Sequence, residues 1–188
     1  MNLRLSIAAL CGAVLCAGAA DFKSFVLKIS TDDTFTVAET REWAVKVERF
    51  ATLRHADVRL TPRAGTAFSL QLFFKCDTPD LGRFDTAEKM KQVVLDSARK
   101  HLPTSVEKTV PLQPLNHRGR YGFFAVLTDA RLAEVSKVPE GQFKFTTRGM
   151  VRLSTDTALC FCLLTNEVTS KDYKALLDYV LGFVHPTG

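Results

Sequence analysis

Two groups of side chains in this sequence have the types and spacing to do chemistry. The first is Asn116-His117-Arg118-Gly119-Arg120-Tyr121, a tight basic turn beside an aromatic ring. Forked guanidinium groups take carboxylate or phosphate oxygens in pairs, so His117, Arg118, Arg120 and Tyr121 are candidate anion-binding residues. The second lies between Phe143 and Leu153, where Lys144, Thr146, Arg148 and Arg152 fall on one parity and Phe143, Phe145, Val151 and Leu153 on the other. A strand sends alternate residues to opposite sides, so Arg148 and Arg152 extend the candidate site as a basic ribbon if no helix lies over it. A helix on that side would contradict the assignment of one packed and one wet face.

Other chemistry lacks its residues. Nucleophilic hydrolysis on a Gly-x-Ser-x-Gly turn needs glycines that let the backbone reach oxyanion geometry, and that turn does not occur in the chain. A phosphate cradle needs closely spaced glycines, and Gly119-Arg120-Tyr121-Gly122 is too sparse. His55, His101, His117 and His185 are scattered, with no pair spaced to share a metal ion, and Asp32-Asp33 sits in a turn-forming cluster. Neither a metal nor a cofactor is therefore expected.

The cysteines beyond the first twenty residues are Cys76, Cys160 and Cys162. Cys160 and Cys162 stand two apart on one strand, on the same face and at the limit of disulfide geometry, so they do not pair with each other. Cys76 can pair with either one, closing a long loop worth on the order of 4 kcal/mol in the chain-entropy model. The alternative is that all three are small buried hydrophobes, and an odd count leaves one thiol over in any case.

The elements that must position these residues can be read in order. Phe22–Ile29 reads as a first strand or an extended arm, and Trp43, Val45 and Val47 alternate as a strand. His55–Leu60 alternates again, and Ala67–Cys76 puts Phe68, Leu70, Leu72, Phe74 and Cys76 on one face. Asp85, three residues before Glu88, has the form of a capping box for a helix running to about Leu102, with Met90, Val93, Val94, Ala98 and Leu102 as its apolar stripe. Val106–Leu115, with its prolines, suits an edge strand, and Tyr121–Leu127 a strand with Phe123 and Phe124 on opposite faces. Leu159–Leu164 is apolar throughout, which befits a strand covered on both sides. Ser170 can cap a closing helix with Tyr173, Leu176, Leu177, Val180, Leu181 and Val184 on its stripe, ended by His185-Pro186. The predicted fold class is α+β: an antiparallel sheet of six to eight strands packed with two main amphipathic helices.

Residues 1–20 read as an export signal. Arg4 precedes an apolar run from Leu5 to Cys16, and Ala17-Gly18-Ala19 supplies the small residues of a cleavage site, so the mature chain is expected to begin at Ala20 or Asp21. The run is shorter than the roughly twenty residues a spanning helix needs. Residues 21–188 then form one domain, periplasmic or secreted, with no integral membrane segment. The formal charge of the whole chain is +5, too small and too dispersed for a nucleic-acid footprint.

The order of elements resembles that of the PsbP-like family: strands with Trp43, a strand pair ending at Cys76, the helix Asp85–Leu102, further strands, and the helix Lys171–Val184. The resemblance covers roughly Glu39–Val184 and rests on layout. It implies an antiparallel sheet between helices, an α/β/α sandwich, and a non-catalytic role in binding or assembly. The leading functional expectation is an exported accessory protein that docks on an envelope protein or anionic surface component through Arg118, Arg120, Arg148 and Arg152. A small-ligand carrier, for which an apolar cavity between sheet and helix would speak, and an enzyme whose site is dispersed in sequence are the alternatives.

Overall fold

The computed structural model describes residues 22–28, 34–50, 55–64, 67–76, 86–117, 120–154 and 157–182. Residues 1–20, read as an export signal, and Asp32, Asp33, Asp85, Arg118, His185 and Pro186 lie outside the described residues, as do the side chains of Cys76, His117 and Arg120.

Alternating sequences make the strands. β1 (Ser24–Lys28) and β2 (Thr34–Ala38) form a separate antiparallel pair. β3 (Trp43–Phe50), β4 (His55–Pro62) and β5 (Phe68–Cys76) form one meander, and β6 (Leu112–His117), β7 (Arg120–Thr128), β8 (Phe145–Arg152) and β9 (Thr157–Thr165) form a second. The two meanders join where β5 pairs with β9, giving a seven-stranded sheet of order β3-β4-β5-β9-β8-β7-β6 in which every pairing is antiparallel. The all-apolar β9 thus lies at the centre, as a strand buried on both faces should.

Helices cover the two faces. α2 (Lys171–Gly182) begins where Ser170 Oγ accepts from the Tyr173 amide at 3.1 Å, the expected cap. Its Tyr173, Leu176 and Val180 pack with Leu70, Leu72 and Phe74 of β5 and Leu159, Phe161 and Leu163 of β9. Leu27 and Val37 of the β1–β2 pair join the same core. Trp43 meets the Tyr179 ring edge-on, with centroids 5.1 Å apart.

α1 (Ala87–Arg99) packs over β7 and β8 on the other face. Met90, Val94 and Ala98, one helical turn apart, are its buried residues. Met90 and Val94 pack on Met150 and Ala158, and Ala98 packs on Ala125 and Leu127. The helix is capped by Thr86, whose hydroxyl accepts from the Lys89 amide at 3.3 Å, one residue after the expected cap. It also stops before Leu102, which opens a 3-10 turn, Leu102–Thr104, around Pro103. Proline disfavours helical geometry at the residue before it, which ends the α-helix early.

The basic ribbon is corrected by this arrangement. The parity holds, since Thr147, Gly149 and Val151 of β8 face the α2 core. The opposite parity is packed too: Met150 is only 1% exposed, and Arg148 and Arg152 are partly buried. A sheet sandwiched by helices has no wet face at its centre.

Candidate functional site: a pocket between the first helix and the sheet

Arg148 lies at the centre of the sheet because of its neighbours. Across the ladders it faces Ala125 of β7 on one side and Cys162 of β9 on the other. Two small residues leave room for a long side chain to lie along the sheet, and α1, which crosses over β7 and β8, approaches closely through Ala98. Beyond the edge of the helix the side chains do not meet, and a pocket of about 300 Å³ remains. α1 contributes Val93, Val94 and Ser97, β8 contributes Arg148 and Met150, β9 contributes Cys160 and Cys162, and β5 contributes Phe73.

The pocket is a largely apolar chamber with one cation and one hydroxyl, that of Ser97. Arg148 Nε is buried and has no hydrogen-bond partner, and no salt bridge of Arg148 occurs among the described residues. A buried donor left unpaired costs about 1–3 kcal/mol. The thiol beside it does not supply the missing charge, because burial pushes the Cys162 thiol up against the pull of Arg148, and Cys162 stays protonated at neutral pH. His101, at the end of the same helix, is pulled down by burial first and then by the positive charges of Arg148 and Lys100. The titratable lining of the pocket is therefore one guanidinium and two thiols. No His, Asp or Glu is placed there for acid–base work, and among the described residues no three His, Cys, Asp or Glu side chains gather as a metal site.

The candidate residues divide accordingly. Arg152 is occupied: its Nη1 donates to Tyr121 Oη at 3.3 Å, its Nε donates to the Ser154 carbonyl at 3.2 Å, and its guanidinium carbon sits 5.4 Å from the Tyr121 ring centre. Lys144 Nζ is likewise held, by the Val135 carbonyl at 3.1 Å. Tyr121 and Arg152 thus form one contact set and Arg148 a separate site. His117 and Arg120 pair across the β6–β7 ladder at its turn end, which fixes their backbones near Tyr121.

No disulfide bridges Cys160 or Cys162 among the described residues. The register gives the reason. Cys76 sits opposite Thr157, whereas Cys160 and Cys162 sit opposite Phe73 and Gln71. Three residues of strand separate the nearer pair by about 10 Å, beyond the roughly 7 Å that a disulfide can bridge.

Sequence reasoning found Arg148 but missed Phe73, Val93, Ser97 and the two thiols as parts of one pocket. Their only signal was membership of elements whose pairing was unknown. Compared with family models, with curated proteins and with solved structures, this chain matches none of them.

Proposed function

We propose that the protein is an exported, non-catalytic carrier of a small, largely apolar molecule, which it holds in the pocket between α1 and the sheet. The observation that carries this reading is the pocket itself: about 300 Å³, walled by Phe73, Val93, Val94, Met150 and the two thiols, beside the packed centre of the sheet. That volume lies at the small end of the range for ligand sites. The reading is favoured over docking through a four-arginine surface because Arg152 is already engaged by Tyr121 and Ser154, and Arg148 lines a concavity. Export rests on the Arg4, Leu5–Cys16 and Ala17–Ala19 pattern, which also suits a periplasmic or secreted location. The layered arrangement supports a PsbP-like kinship as a proposal of fold.

The test is binding of a neutral naphthylamine dye, read by its fluorescence. Wild type is expected to bind it saturably at one site. Ser97→Trp, which fills the pocket from the helix side, is expected to bind at least tenfold more weakly while retaining its circular dichroism spectrum. Equal binding by both proteins would place the dye elsewhere and remove the proposed site.

A further inference from the structure

We infer that the ligand of this pocket is a monoanionic amphiphile, an acyl chain or small apolar body ending in one carboxylate, with Arg148 as the partner of its head group. The inference rests on the carrier reading and goes on to name the chemistry of what is carried.

The argument is one of unbalanced charge. A guanidinium in a low-dielectric wall requires a counter-charge or a full set of acceptors. Arg148 has neither among the described residues: Nε is buried without an acceptor, and no ion pair reaches the side chain. The adjacent Cys162 is a thiol and not a thiolate, so among the described residues the charge stays open. An incoming carboxylate closes it with two parallel charge-assisted hydrogen bonds, the geometry for which guanidinium and carboxylate are matched. One cation selects one negative charge, and a second would enter an apolar chamber unpaired.

The remaining walls set the rest of the molecule. Phe73, Val93, Val94 and Met150 offer no polar group to a ligand body. A cavity of about 150 Å³ admits a benzene ring, so one of about 300 Å³ admits roughly a dozen non-hydrogen atoms, the size of a decanoate. The competing occupant is a soft monovalent metal on the sulfurs of Cys160, Cys162 and Met150, for which thioether and thiolate are suitable donors. It is disfavoured because it adds a cation beside Arg148 and requires deprotonation of a thiol that burial holds protonated.

The experiment is displacement of the naphthylamine dye by decanoate, decanol and decyltrimethylammonium, from wild type, Arg148→Met and Arg148→Lys. Decanoate is expected to displace at least tenfold better than decanol, and the ammonium compound worst. Arg148→Met should abolish the preference for decanoate while decanol still binds; Arg148→Lys should keep part of it. Equal displacement by decanoate and decanol from wild type would overturn the anion inference and leave the carrier reading standing. Dye bound but displaced by none of the three would also overturn the inference. Failure of the dye itself to bind wild type would remove both. Cuprous ion displacing the dye at one equivalent, with loss of that effect in Cys162→Ser, would assign the pocket to metal instead.

Discussion

Arg148 shows how little of its role a side chain declares in sequence. Its charge and parity marked it as a candidate, but the expected setting was a wet ribbon, and the observed one is a pocket wall between Ala125 and Cys162. The missing information was which strands flank β8 and what lies over them. Local hydrogen-bonding chemistry was more legible: Ser170 was read as a cap and is one. Two predictions belong to this scale. Cys160 and Cys162 should both be alkylated in the unreduced, denatured protein, and recovery of a peptide pair cross-linked through Cys76 would contradict the register argument. Burial moves the Tyr179 phenol from 10.0 up to about 12, against the opposing pull of the Ala38 backbone, and raises Tyr173 in the same direction. A phenol whose proton is held more tightly in the folded state stabilises fully below its unfolded pKa and loses that contribution as pH rises through the folded value. The denaturation midpoint should therefore fall as pH rises from 10.0 to about 12, and the fall should be shallower in Tyr179→Phe. An unchanged slope in that variant would show that Tyr179 does not carry the effect.

The elements were legible where periodicity was long. β5 put Leu70, Leu72 and Phe74 inside as the alternation required, and Met90, Val94 and Ala98 mark α1 as the period of a helix predicts. Boundaries were less so, since Asp85 and Thr86 are both good caps and only the observed Thr86–Lys89 bond decides between them. The coverage of β8 was misjudged because its other parity holds Arg148 and Arg152, charged residues that read as a wet face although α1 leaves them partly buried. Thr147 and Gly149 on the α2 side are buried as expected. Gly149 is there for packing: a Cβ would run into the Phe161 ring and Phe124 Cβ. Gly149→Ala should cost about 1–3 kcal/mol, as overpacked cores do, measured by urea denaturation. Thr86→Ala, which removes only the α1 cap, should cost about 1 kcal/mol. If Gly149→Ala were the milder of the two, the close packing at β8–β9 would be wrong.

At the scale of the whole molecule, fold class was legible and strand order was not. Counting strands and helices gives α+β, but the β5–β9 pairing joins segments far apart in sequence, and no local pattern encodes it. The pocket exists only because of that pairing: Phe73 comes from one meander, Arg148, Met150 and the thiols from the other, and α1 belongs to the connection between them. Export is a separate claim at this scale, tested by sequencing the amino terminus of protein recovered from its native source. Ala20 or Asp21 is expected as the first residue, and an intact Met1 would contradict cleavage. The most direct test of the account is a map of amide chemical shifts during titration with decanoate. The changes should centre on Val93, Ser97, Arg148, Cys160 and Cys162 and leave the Thr147–Tyr173 side of the sheet, joined by a 3.0 Å hydrogen bond, nearly still. Changes centred instead on the Tyr121–Arg152 surface, or no changes at saturating ligand, would contradict it.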